Sequence, residues 1–256
     1  MSVEDLLDSG VRAQEQGDFK SAMCHFEQAL QSQQTAEIWL LLAEVQIETG
    51  SFVRAHKSLR AGLDLASDDL DLLFALGDLF LEEGKHDKAV ATYQKIIDLD
   101  PNEVDAWVSK GVAQMNNNDL TGAEQSCQKA LELDPTSPFA HSAFGDISAF
   151  QGNMDIAINS FQQSIKLDPT DPQPCLSLAD LHYDLGQLEQ AEEFCQRGLE
   201  LDAGLAAGYL ILGYIYLDQD RTQESIDNFK QFLRLEKSPT AKNIRDEVSA
   251  VIDGLK

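Results

Sequence analysis

Two stretches decide how this chain is built: LLFALGDLFLEEGKHDKAVATYQKIIDLDP at residues 72–101 and AWVSKGVAQMNNNDLTGAEQSCQKALELDP at residues 106–135. Laid over one another they share a small residue (Gly77, Gly111), a turn residue (Gly84, Asn118), an alanine (Ala89, Ala123) and a closing proline (Pro101, Pro135), each pair 34 residues apart. A fixed period of this length marks a repeat architecture. The ruler extends both ways. The alanines run Ala22, Ala55, Ala89, Ala123, Ala157 and Ala191, with Ser225 closing the series, in steps of 33 and then 34. Small residues recur at Gly10, Ala43, Gly77, Gly111, Gly145, Ala179 and Gly213, and turn residues at Gly17, Gly50, Gly84, Asn118, Gly152, Gly186 and Asp220. Large apolar residues recur at Phe26, Leu59, Tyr93, Cys127, Phe161, Cys195 and Phe229.

Each column has a physical reason. A small residue in a first helix and an alanine in a second let two backbones approach. The turn column falls where the chain reverses, a place for left-handed backbone that Gly adopts freely and Asn or Asp tolerates. The large apolar column fills the space between paired helices. Pro101, Pro135 and Pro169 lie just past a helix end, where a missing N–H costs least. Asn102, Ser137 and Asp171 are candidate helix caps, and Pro138 and Pro172 fall at first helical positions. The resulting repeats are 3–35, 36–69, 70–103, 104–137, 138–171, 172–205 and 206–239. Residues 240–256 follow as a capping helix, with Ile244, Val248, Val251, Ile252 and Leu255 on one apolar face; a docking helix for a partner is the alternative reading. There is no linker or change of composition, so a single repeat array over 1–256 is expected.

The pattern resembles the tetratricopeptide repeat, a 34-residue helix–turn–helix unit, over about nine-tenths of the chain. The first repeat is one residue short, and the last carries Ser225 for alanine and Lys237 for proline; terminal repeats drift because they have one neighbour. The resemblance implies an all-α fold, a right-handed α-solenoid superhelix whose first helices line a concave face that holds ligands.

Composition narrows the function. The chain has 44 Asp and Glu against 19 Lys and Arg, a net charge of −25. Such a surface repels phosphate backbones and anionic lipid heads, which argues against nucleic acid and membranes as partners and favours a basic protein segment. Cys24, Cys127, Cys175 and Cys195 form no CxxC pair and no zinc-ligand spacing, as expected of thiols in a reducing compartment. The N-terminal MSVEDLLDSG lacks a basic stretch followed by an apolar run, and no apolar stretch reaches the length of a membrane span, so a cytoplasmic protein is expected.

Catalysis needs a converging set of reactive groups. His25, His56, His86, His141 and His182 occupy five different repeat positions; His141 stands in the column of Trp39 and Trp107, and His182 in that of Phe80 and Tyr216. Core substitution explains both better than metal binding. HExxH, GxSxG, P-loop and GxGxxG motifs are absent. No enzyme, no cofactor and no metal are expected.

The candidate site is the exposed side of the first helices. Repeat position nine carries acids four times, at Glu44, Asp78, Asp146 and Asp180, with Val11, Val112 and Tyr214 elsewhere. Nothing in helix packing demands an acid in mid-helix. Position five is mostly apolar, including Leu40, Phe74, Val108 and Leu176, and positions twelve and thirteen add Phe150 and Tyr183. An apolar floor edged with carboxylates suits an amphipathic helix or extended peptide carrying Lys or Arg beside apolar anchors. Tetratricopeptide cochaperones that hold chaperone tails clamp a terminal carboxylate with Lys, Asn and Arg; Leu40, Leu41, Glu44, Phe74, Ala75 and Asp78 stand in the corresponding stretch, so that activity is not expected. The reading is a protein–protein interaction scaffold or adaptor, with self-association possible through the same floor. A dedicated chaperone or assembly factor for a secretion, pilus or envelope complex is the alternative. The repeat arm of a larger enzyme is the least favoured, because Met1 and a closing helix point away from a fragment.

Overall fold

The computed structural model describes residues 1–238 and 240–255; Pro239 and Lys256, the ends of the seventh repeat and of the capping segment, lie outside them. The described residues form fifteen α-helices. Seven pairs follow the expected repeats: α1 (Val3–Glu15) with α2 (Phe19–Ser32), α3 (Ala36–Glu48) with α4 (Phe52–Leu65), α5 (Leu70–Glu82) with α6 (His86–Leu99), α7 (Val104–Asn116) with α8 (Leu120–Leu133), α9 (Pro138–Phe150) with α10 (Met154–Leu167), α11 (Gln173–Asp184) with α12 (Leu188–Leu201), and α13 (Ala206–Asp218) with α14 (Thr222–Leu235); α15 (Lys242–Gly254) closes the series. The chain divides into two compact units, Met1–Leu133 and Asp134–Lys256.

The turn column explains the pairing. All seven of its residues have positive φ, including Asn118 at 61° and Asp220 at 58°. In each pair the next N–H returns to a carbonyl five residues back, as from Lys85 to Phe80 and from Arg221 to Tyr216, both 2.8 Å. This closure ends one helix and aims the chain into the next.

Inside a pair, positions eight and twenty-four fit by size. A Cβ on Gly10, Gly77, Gly145 or Gly213 would stand within 2.6 Å of the ring of Phe26, Tyr93, Phe161 or Phe229 respectively. Where position eight is already alanine, its partner is smaller: Leu59 against Ala43 and Cys195 against Ala179, all fully buried. Gly111 faces the small Cys127, so the two columns adjust to one another pair by pair, as close packing requires.

Between repeats, each second helix packs on the following first helix within its unit. In the first unit α3 also touches α5; in the second, α9 touches α11 and α11 touches α13, while second helices make no comparable contact with each other. The first helices thus approach one another more closely than the second helices do, at α3 and α5 in the first unit and along α9, α11 and α13 in the second, and form the inner side there. At the repeat boundary a carboxylate fixes the turn: Asp100, Asp134, Asp168 and Asp202 each accept from the N–H two residues on, at 2.7–2.9 Å. Asn102 is thereby a donor in this turn and no cap; α7 begins after Glu103 without a side-chain cap. Ser137 does cap α9, accepting from Ala140, with Pro138 at the first helical position. Pro172 instead sits one residue earlier, as the N-cap of α11, because the Asp171 carboxylate takes the Gln173 N–H.

The final helix lays an apolar face inward. Val248 and Ile252 join a core cluster with Ile226, Phe229 and Phe232, and Ile244, Val251 and Leu255 pack against it. Without α15 that apolar surface of α14 faces water.

An acid-lined inner face

The mid-helix carboxylates stand on the inner side of each unit. In the first unit Glu44 is half-buried on α3, and Asp78 on α5 accepts a 2.5 Å hydrogen bond from the Tyr93 hydroxyl. In the second unit Asp146 on α9 lies 3.5 Å from the Ser177 hydroxyl, and Asp180 lies on α11. Asp78, Asp146 and Asp180 remain open to solvent along one edge. Protein packed around them nevertheless raises all four acids above the ordinary carboxylate range. Burial leads each shift; Glu48 and Asp71 add to it at Glu44, and Asp184 at Asp180, whereas the Tyr93 bond opposes it at Asp78. Asp146 rises furthest, to about 6. A group reached by water yet short of hydration lies in a recess, and negative charge held there attracts a cation. None of the four has an ion-pair partner among the described residues.

The apolar members fall into two groups. Leu40, Phe74 and Tyr183 are half-buried, and Phe150 is 66% exposed. Val108 and Leu176 are not presented: they are 0% and 5% exposed. Leu176 turns inward because Gly198 and Gly208 leave it room, each of their Cβ positions lying within 3.3 Å of its Cδ2. The half-buried Tyr214 points its hydroxyl toward Glu247 on α15 at 3.4 Å. Tyr183 donates to Asp218 at 2.8 Å, and burial with that carboxylate pushes the phenol up to about 12. Sequence spacing placed Tyr93 in the packing column and did not mark Ser177 or Asp218; Tyr93 and Ser177 contact Asp78 and Asp146, and Asp218 holds Tyr183.

The histidines read from the ruler serve packing. His141 Nε2 lies 3.0 Å from the Pro135 carbonyl, the contact that Trp107 Nε1 makes to Pro101 at the same distance. His182 stacks on Phe194 at 5.4 Å and meets Gln187 at 2.6 Å. Cys127, Cys175 and Cys195 are buried, and burial pushes the Cys195 thiol up to about 12. Among the described residues no His, Cys, Asp and Glu cluster could hold a metal ion, and no helix is long and apolar enough to cross a membrane.

Paired helices, a left-handed reversal in each pair and a repeat of 34 residues define a tetratricopeptide repeat protein. Over residues 3–248 the chain matches the family described as the cilia and flagella-associated protein 70 C-terminal domain, and it belongs to that family. Among solved structures, a tetratricopeptide repeat protein from Parabacteroides merdae is similar at 21% identity and a TM-score of 0.78, with 98% of each chain covered. Yeast Tom70 is similar at 15% identity and a TM-score of 0.79; the match takes in 99% of this chain and only 53% of Tom70. PilW, a type IV pilus biogenesis factor, is similar at 20% identity and a TM-score of 0.66 over 78% of this chain and 92% of its own. At these identities the likeness is one of fold. No curated protein sequence matches the chain.

Proposed function

We propose that the chain is a non-catalytic interaction scaffold in which the first helices of each unit hold a basic, amphipathic segment of another protein. One observation carries this reading: four recessed carboxylates on one repeat position, none with a cation of its own. A Lys or Arg from a partner would supply the missing counter-charge, while Leu40 and Phe74 in the first unit, and Phe150 and Tyr183 in the second, offer contact for its apolar side chains. The family supports a protein-interaction role, and its description makes cilia and flagella the setting in which a partner is best sought.

The test is capture of partners from a ciliated or flagellated cell lysate by the wild-type chain and by one carrying Glu44→Gln with Asp78, Asp146 and Asp180 changed to Asn. Circular dichroism verifies that both stay folded. Loss of a captured protein from the variant supports the acid-lined face as its site; equal recovery by both chains sinks the reading. The alternative role, an assembly factor for a secretion, pilus or envelope complex, draws on the fold shared with PilW. It requires one stoichiometric client instead of several partners, which the same capture distinguishes.

A further inference from the structure

The outward side of the first unit carries a feature opposite in sign to the inner face. Alone among the fifteen helices, α4 has more basic than acidic side chains: Arg54, Lys57 and Arg60 against Asp64. In a chain of net charge −25 this local reversal needs a reason. All three basic residues are exposed.

Beside them lies a cleft of about 460 Å³, bounded by α2 and α4 and floored by α3. Its position follows from the packing, because α2 and α4 both pack on α3 and make no comparable contact with each other. The floor is apolar, from Trp39, Leu42 and Leu30; Arg54 and Lys57 rise along one edge. The charges on its rim are open to a ligand. Gln46, only 2% exposed, lines the cleft and accepts from the Ser58 hydroxyl at 2.9 Å, which holds the side chain in place. Arg54 is held at 2.5 Å by Glu27 across the cleft, with both side chains about half-exposed, so the pair is weak and readily exchanged for another carboxylate. Lys57 has no ion-pair partner among the described residues.

We propose that this cleft is a second interaction surface, which takes an acidic protein segment bearing one large apolar side chain. The apolar side chain lies over Trp39, and a carboxylate displaces Glu27 from Arg54 and meets Lys57. Nucleic acid carries charge along its whole length and meets the acidic surface around the cleft, whereas a short segment presents its acids only to Arg54 and Lys57. The inference does not rest on the inner-face reading, since the residues are different and the charge preference is opposite.

Trp39 makes it measurable. The chain has two tryptophans, and Trp107→Phe leaves Trp39 as the sole emitter. The probe is a synthetic peptide of twelve or so residues with Asp and Glu around Leu and Phe, alongside a copy with Lys for every acid. On the full chain, fluorescence anisotropy with the labelled acidic peptide should show saturable binding. Arg54→Glu with Lys57→Glu should weaken it tenfold or more, and Glu27→Gln should tighten it severalfold by freeing Arg54. The quadruple inner-face variant should leave it unchanged. Trp39 emission should shift with the acidic peptide and not with the Lys copy. Equal affinity in the charge-reversed chain, an unchanged Trp39 emission at saturation, or an equal response to the Lys copy would each overturn the proposal. So would a dimer of this chain that Arg54→Glu with Lys57→Glu dissolves while no peptide binds, because the occupant would then be a second copy.

Discussion

At the scale of single residues, the fit between positions eight and twenty-four sets the local energetics. Gly145→Ala would drive a methyl to 2.6 Å from the Phe161 ring, which is 1% exposed and has nowhere to go. Overpacking of this kind costs roughly 1–3 kcal/mol. Adding Phe161→Leu recreates the Ala43 and Leu59 pairing and should recover much of the loss, so urea titrations of the two singles and the double should show strong coupling. Asp146 gives a second residue-scale expectation, with its sign fixed by linkage. Its folded pKa is raised, to about 6, so ionisation favours the unfolded chain; the cost is absent at acid pH, develops as pH rises from about 4 to about 6 and is complete above 6. Asp146→Asn should therefore match wild type in Tm at pH 4 and exceed it at pH 7.5. The carboxylate is partly open to water, so the gain is no more than about 1 kcal/mol. A variant less stable than wild type at pH 7.5 would show the acid to be structural. Protonation near pH 6 should also weaken capture of a basic partner by the second unit.

At the scale of the helix pair, the left-handed residue decides whether two helices reverse. A Cβ on Gly84 meets nothing within 4 Å, so any penalty for Gly84→Ala is one of backbone conformation, about 1–2 kcal/mol. Gly84→Asn should cost less, since Asn118 already holds φ at 61° in the next pair; chemical denaturation ranks the two. At the other end, Val248→Asp places a charge in the cluster that joins α15 to α14. Hydrogen exchange should then rise across residues 242–254 while α11 and α12 keep their protection. Such columns were readable in the sequence because each repeat solves the same packing problem with the same residue types. What remained hidden depends on neighbours. Asn102 looked like a cap until Asp100 took its N–H, and Leu176 sits in a column whose members, Val108 apart, are half-exposed, yet turns inward over two glycines.

At the scale of the molecule, charge is the property most legible from composition, and its distribution the least. A total of −25 predicts attraction for a basic partner that weakens with ionic strength. Raising salt from about 50 to about 300 mM should release a partner held by exposed acids, as the screening length falls below about 10 Å; a salt-independent partner is held through apolar contacts instead. The acids of the inner face were found from the ruler, because they share one position. The basic edge on α4 was missed although Arg54, Lys57 and Arg60 are plain in the sequence, since a search along repeat columns passes over what only one repeat possesses. The fit between positions eight and twenty-four has one further consequence. Each repeat settles that fit within itself, so a duplicated or deleted stretch of 34 residues brings or removes both halves together, and array length can change by copying without a compensating change elsewhere. The contacts of Ser177 with Asp146 and of Tyr183 with Asp218 cross from one repeat to the next and do not travel with such a copy. Lineages can therefore lengthen the array freely while its recognition must be rebuilt at every new junction.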